Sequence, residues 1–212
     1  MRLYSYWRSS CSWRVRIGLS WKGLDYETVP VHLVRDGGEQ NAADYADRNP
    51  LRQVPLLEWT DGIGTHRLAQ SLAILEYLEE AHPQPPLLPP GLHERGLVRM
   101  LAEAINAGIQ PLQNLQVIQA PELPEGREFA HRMIQRGLDA LERMAAHHAG
   151  DFLVGDAVSL ADVCLVPQLY NARRFGCDES GWTTLLRVEQ RCTQIPAFQA
   201  AHPDRQPDAQ PA

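Results

Sequence analysis

Residues 2–33 read RLYSYWRSSCSWRVRIGLSWKGLDYETVPVHL, and the order of elements within them decides the fold. From Arg2 to Trp7 the residues alternate between chain faces and are rich in Tyr, Leu and Trp, as a short strand requires. Ser9, Ser10 and Ser12 can each cap a helix start. Val15, Gly18, Leu19 and Lys22 then recur at helical spacing, and Gly23 is a natural stop. Tyr26 to Leu33 resumes strand character, with Pro30 placing it at an edge or near its end. Strand, helix, strand at this spacing is a βαβ unit.

Working outward, Val34 to Arg52 is polar, and strand character returns at Val54 to Trp59. Asp61-Gly62 is a turn signal, His66 to Ala69 a hairpin partner, and Ser71 caps a helix with Leu72, Leu75 and Leu78 that ends before Pro83. The order βαβ then ββα describes a thioredoxin-like domain over residues 1–82, in which Val54-Pro55 is the place for a cis-proline. Pro83, Pro85, Pro86, Pro89 and Pro90 make 83–91 an extended linker. Beyond it, Leu97, Leu101, Ala104, Gly108, Leu112 and Leu115 predict one long amphipathic helix. Phe129, Met133, Leu138, Leu141 and Met144 predict a second. Ser159-Leu160-Ala161-Asp162 opens another helix ending near Phe175, and short helical pieces run to Phe198. The expected fold class is α/β plus all-α, with a helical-bundle domain over 92–202 and a frayed tail over 203–212.

Composition excludes several classes. The 212 residues hold 20 Lys and Arg against 26 Asp and Glu, a net charge of −6. Arg2, Arg8, Arg14, Arg16 and Lys22 stand in the first 24 residues without an acid among them, so the chain opens at +5 and the remainder carries −11. With 44% hydrophobic and 22% charged residues, the chain has material for a packed core and is not disordered. No apolar run approaches the roughly 18 to 20 residues that span a bilayer, so no membrane partner is expected. Met1 to Arg16 lacks the apolar core of a secretory signal, and the expected location is the cytoplasm.

Cys11, Cys164, Cys177 and Cys192 are too scattered for a disulfide framework, and only Cys11, among serines and arginines, invites a chemical question. His147-His148 lacks ligand partners, so no metal site is expected. No Gly-rich phosphate loop or Ser-His-Asp set is present, and the acidic balance argues against nucleic acid.

Ser9-Ser10-Cys11-Ser12-Trp13-Arg14-Val15-Arg16-Ile17 resembles the signature of zeta-class glutathione transferases. Agreement extends to Asn49-Pro50, Gln53-Val54-Pro55, Gln70-Ser71-Leu72-Ala73-Ile74, Gly108-Ile109-Gln110-Pro111-Leu112-Gln113-Asn114-Leu115, and Leu160-Ala161-Asp162 through Val166-Pro167-Gln168. Thr60 to Arg67 is a few residues longer than the family's hairpin. The resemblance implies glutathione as cofactor and a homodimer. It also implies glutathione-dependent cis–trans isomerisation of maleylacetoacetate to fumarylacetoacetate, in tyrosine and phenylalanine breakdown. Maleylpyruvate of gentisate breakdown is the alternative substrate, and a non-catalytic glutathione-binding protein is the reading from another class.

Physical chemistry supports such a use of these residues. A helix N-terminus presents unpaired N–H groups and about half a positive charge, enough to favour a nearby thiolate by roughly 0.3 to 1 kcal/mol. The resemblance makes Ser9 the holder of glutathione's sulfur, with Ser10 and Cys11 supporting it and Arg14 adding positive potential. Without that match the serines are only caps. Cys11, read alone, is also a candidate for mixed-disulfide chemistry. Gln70 and Ser71, at a helix start, suit the γ-glutamyl carboxylate. The backbone of Val54 suits strand-like pairing with the cysteinyl part. Gln40, Gln110 and Asn114 are assigned to glutathione by resemblance alone; Asn106, Gln110 and Asn114 otherwise form a polar helix face. A planar guanidinium grips a carboxylate with two hydrogen bonds, and the resemblance gives that role toward the enoic acid to Arg8 and Arg174. Arg2, Arg16 and Lys22 are left unexplained or simply solvated, and Arg173 reads as a surface charge.

Overall fold

Leu3 and Tyr4, neighbours on the first strand, point to opposite faces of a sheet, and each face gathers its own core. The computed structural model describes residues 1–210. Its first elements are β1 (Arg2–Ser5), α1 (Ser10–Trp21) and β2 (Glu27–Pro30). Two 3₁₀ turns follow, at Arg35–Gly37 and Glu39–Asn41, then α2 (Ala43–Arg48), β3 (Leu56–Thr60), β4 (Thr65–Ala69) and α3 (Ser71–Ala81). The sheet order is β2-β1-β3-β4. β1 and β2 run parallel, while β3 lies antiparallel to both β1 and β4, with Leu3 opposite Leu57 and Tyr4 opposite Leu56. This is the thioredoxin-like arrangement the βαβ-ββα order requires.

On one face Leu3 and Leu57 pack with Val15 and Leu19 of α1 and Ile74 and Leu78 of α3. On the other, Tyr4, Leu56 and Val54 pack with Tyr6, Trp7, Val31 and Tyr45. Burying each such aliphatic side chain contributes about 1.5–3 kcal/mol. Helices α1 and α3 approach closely because Gly18 has no side chain; a Cβ there would stand 2.3 Å from Leu75 Cδ2.

The chain falls into two compact units, Met1–Pro85 with the returning segment from Pro196, and Pro86–Ile195. The second unit holds α4 (Leu92–Asn106), α5 (Leu115–Ile118), α6 (Gly126–Ala145), α7 (Leu160–Phe175) and α8 (Thr183–Cys192). Val98, Leu101 and Ile105 of α4 and Ile134, Leu138 and Leu141 of α6 are its buried stripes. Helix α7 opens on a capping box. Ser159 N–H and Oγ donate to Asp162 Oδ2 at 2.8 and 2.7 Å, and Leu153 N–H donates to Oδ1 at 2.9 Å. It closes on Gly176 in the left-handed region.

Two expectations about this part of the chain need correction. The single helix expected over Leu97 to Leu115 ends at Asn106 and is followed by a 3₁₀ turn, Gln110–Gln113, and the short α5. Pro111 explains the break, because it has no N–H to donate and its ring would collide with the carbonyl four residues earlier. The expected tail over 203–212 is built into the first unit as far as residue 210. There α9 (Pro196–Ala200) buries Phe198, a 3₁₀ turn follows at Pro203–Arg205, and Ala209 packs against the Tyr4 and Trp7 cluster. Residues 211 and 212 lie outside the described residues.

Two of the presumed surface charges are interior. Arg16 is 0% exposed, and Lys22 pairs with Glu79 at 2.5 Å with its side chain fully covered. Arg2 stays at the surface beside Glu27, and Arg173 pairs with Glu179 and Glu189.

Candidate functional site

Ser9 occupies the N-cap of α1. Its φ and ψ of −68° and 120° are non-helical, and its Oγ accepts the Ser12 N–H at 3.2 Å. Its carbonyl accepts from Trp13 N–H at 2.9 Å, and its own N–H donates to the Tyr6 carbonyl at 3.0 Å. The hydroxyl oxygen is therefore occupied as an acceptor while its proton remains available to a ligand. Ser10 is buried and Cys11 is a half-buried free thiol, both in the first turn. That turn contains no acidic residue, so nothing there offsets the positive helix end. Arg8 precedes the cap, half-buried, with its guanidinium carbon 5.1 Å from the centre of the Trp7 ring.

A second group stands at the starts of β3 and α3. The Val54–Pro55 bond is cis. Val54 is buried, and neither its N–H nor its C=O has a hydrogen-bond partner among the described residues. Gln70, with φ 72°, is the N-cap of α3, and Ser71 is the first helical residue; the expectation that Ser71 itself caps is corrected here. A non-glycine residue in that backbone region costs of order 1–3 kcal/mol, and such residues gather at ligand sites. Gln70 Nε2 reaches Gln53 Oε1 at 3.4 Å, beside Val54. Arg14 lies fully buried, its Nη1 3.3 Å from Ser71 Oγ. It therefore reaches the start of α3.

Gln40 belongs to the 3₁₀ turn Glu39–Asn41. Its Nε2 donates to the Leu33 carbonyl at 3.2 Å, and its buried Oε1 has no partner among the described residues. Gly38, at φ 93°, makes room for it, since a Cβ there would stand 2.4 Å from Gln40 Nε2.

In the second unit, Gln110 Nε2 donates to Asn114 Oδ1 at 2.8 Å, so these two amides meet even though the helix expected to align them is broken. Asn106 turns toward Glu103 instead. Arg174, exposed near the end of α7, places Nη1 3.2 Å from Asn171 Oδ1, and its carbonyl accepts from Arg127 at 2.6 Å.

Sequence reasoning assigned no role to the residues that hold the Val54 segment. The Gln53 carbonyl accepts both Tyr45 Oη at 2.6 Å and Asn49 Nδ2 at 2.7 Å, which fixes the backbone just before the cis bond. Asn49, followed by Pro50 in one of the matching blocks, was the available signal. Among the described residues no group of three or more His, Cys, Asp or Glu side chains could hold a metal ion, and no helix is long and apolar enough to cross a membrane.

A serine at a helix N-cap, a cis-proline strand start with an unpaired backbone, and a second helix start beside it, on a thioredoxin-like unit followed by a helical one, define the glutathione transferase class. Residues 8–81 match the glutathione S-transferase N-terminal domain model, and residues 117–189 match the C-terminal domain model. The chain is 50% identical over 206 residues to the maleylacetoacetate isomerase of Rattus norvegicus, across 97% of this chain and 94% of that one. It is also similar to the maleylacetoacetate isomerase of Anaeromyxobacter dehalogenans solved with glutathione in the active site. That match has a TM-score of 0.90 and 55% identity over 99% of this chain and 97% of that one. The same bacterial protein has been solved with dicarboxyethyl glutathione and citrate, matching at TM-score 0.89, 52% identity and the same coverage. A bacterial zeta-class maleyl pyruvate isomerase matches with TM-score 0.90 and 35% identity over 99% of this chain and 100% of that one. The chain belongs to the glutathione S-transferase family, in the zeta class with these isomerases.

Proposed function

We propose that this chain is a glutathione-dependent cis–trans isomerase that converts maleylacetoacetate to fumarylacetoacetate. The observation that carries the reading is Ser9, whose hydroxyl proton is unspent at an acid-free helix start. Glutathione, when bound, supplies a thiolate that adds to the cis double bond and, after rotation about the resulting single bond, leaves again. Ser9 donates its hydroxyl to that sulfur, and the first-turn N–H groups of α1 favour its charge. Ser10 and Cys11 shape the same turn. Val54 pairs by backbone with the cysteinyl part, while Gln70 and Ser71 take the γ-glutamyl end and Gln40 the glycyl end. The unpartnered groups of Val54 and Gln40 fit such a peptide. Arg8 holds the substrate carboxylate through the reaction. Arg174 is assigned to the same carboxylate chemistry, and Gln110 and Asn114 to glutathione, by family resemblance.

Dicarboxyethyl glutathione bound to the Anaeromyxobacter relative is an adduct of the kind that addition to an enoic acid creates, which supports this chemistry. Purified protein should isomerise maleylacetoacetate only with glutathione present, and Ser9→Ala should lose most of that activity; turnover without glutathione would overturn the mechanism. Similarity to the maleyl pyruvate isomerase makes maleylpyruvate the second candidate substrate, and rates on the two acids under one set of conditions decide between them. Glutathione binding without turnover of either acid would mark a non-catalytic binding protein. A cytosolic homodimer completes the proposal by resemblance, and sedimentation tests the dimer.

A further inference from the structure

The turn that delivers Arg8 and Ser9 is held from the far end of the chain. Trp7 N–H donates to Asp208 Oδ2 at 2.9 Å. The Trp7 carbonyl accepts from Arg16 Nη2 at 2.8 Å. The Tyr6 carbonyl accepts both Arg16 Nη1 at 3.4 Å and the Ser9 N–H at 3.0 Å. Arg16 also reaches Ser5 Oγ and the Ala201 carbonyl, each at 3.1 Å. The side chain of Arg8 thus springs from between two peptides whose polar groups are tied to this lattice.

The segment carrying Asp208 is itself anchored. The His202 ring packs edge-on against Trp13 at 5.2 Å, Gln206 Nε2 donates to the His202 carbonyl at 2.9 Å, and Ala209 joins the Tyr4 and Trp7 cluster. Burying a guanidinium costs several kcal/mol. Desolvation lowers the Arg16 pKa to about 10, with Asp208 nearby acting in the opposite direction. A turn that merely joined a strand to a helix would need no such lattice, whereas a turn that must place a reacting group benefits, because an error of about 1 Å can cost of order a hundredfold in rate.

We propose that Asp208 and Arg16 are positioning residues for Arg8 and Ser9, so that the segment after Pro203 is a working part of the thiolate site. This rests on the role given to Ser9 above. The test uses the full chain with Asp208→Ala and with Asp208→Asn. Each is assayed for glutathione affinity by calorimetry, for ionisation of bound glutathione by thiolate absorbance against pH, and for kcat and KM.

Asp208→Ala should lower kcat about tenfold, raise the pH midpoint of thiolate formation by about one unit, and raise KM for the enoic acid, whose carboxylate Arg8 holds. Asn keeps an acceptor for the Trp7 N–H and should restore kcat to within about threefold of the parent. Parental kcat and parental ionisation in Asp208→Ala, with only a lower melting temperature, would overturn the proposal. Should the parent ionise glutathione yet isomerise neither acid, the proposed reaction falls and the ionisation midpoints alone decide the positioning role. A parent that does not bind glutathione overturns both.

Discussion

Arg14 Nη1, in the second turn of α1, lies 3.3 Å from Ser71 Oγ at the start of α3, a contact between residues 57 apart in the chain. Helix α1 carries Ser9 at its cap and α3 begins at Ser71, so this buried guanidinium links the helices proposed to hold the sulfur and the γ-glutamyl end of one ligand.

Arg14→Met should therefore act on both stability and binding. Leaving the buried Ser71 hydroxyl without this donor costs about 1–3 kcal/mol. Glutathione affinity should fall about tenfold, because the γ-glutamyl subsite loses its alignment with Ser9. Urea unfolding and calorimetric titration read the two effects; unchanged affinity would remove Arg14 from the binding machinery.

Ser9 separates a capping role from a chemical one. Ser9→Ala deletes the acceptor for the Ser12 N–H and should cost about 1 kcal/mol of stability. Losing a hydroxyl donor to the reacting anion should lower kcat about a hundredfold. A drop in kcat no larger than threefold in a folded variant would reduce Ser9 to a cap.

Lys22 and Glu79 form an interior ion pair at 2.5 Å. Lys22→Met takes the ammonium away from a buried carboxylate and should destabilise the first unit by about 3–5 kcal/mol, while Lys22→Met combined with Glu79→Leu should recover most of that loss. Urea denaturation of the three variants tests it; equal losses in the single and double variants would refute the pair's coupling.

Burial raises the Asp162 carboxyl to about 6, against the three hydrogen bonds from Leu153 and Ser159 that favour its ionised form. The folded state thus holds this proton at pH values where the unfolded chain has released it. The associated stability is present in full below the ordinary carboxylate range and is lost as pH rises through about 6. Asp162→Asn should flatten the pH dependence of unfolding between about 4 and 6 by up to about 1.4 kcal/mol per pH unit. An unchanged slope would show that Asp162 does not titrate there.

Locally encoded features were legible in the sequence. Ser9 before an apolar-periodic run and Ser159 three residues before Asp162 each specify a helix start through bonds to residues a few positions away. The strand and helix order of the first unit follows from the same short-range patterns. The apolar spacing over Leu97 to Leu115 continues through Pro111, whose missing N–H breaks the helix that the spacing alone predicts. The residue type of Ser71 suits a cap, whereas the left-handed backbone of Gln70, the cap in fact, depends on what packs around it.

By itself, the sequence determined the βαβ-ββα order of the first unit, the cap at Ser9, the capping box at Ser159 and the family motif, because these depend on side-chain type and near-neighbour spacing. Only the tertiary structure decided which charges are interior and what they touch. Arg16 and Lys22 look like any basic residues of a +5 opening, yet Arg16 bonds a carbonyl 185 residues away, and the Trp7 amide finds its acceptor 201 residues away at Asp208. Partners so distant meet only when the packed core has fixed where the chain returns, so no pattern local to residues 1–24 carries that information.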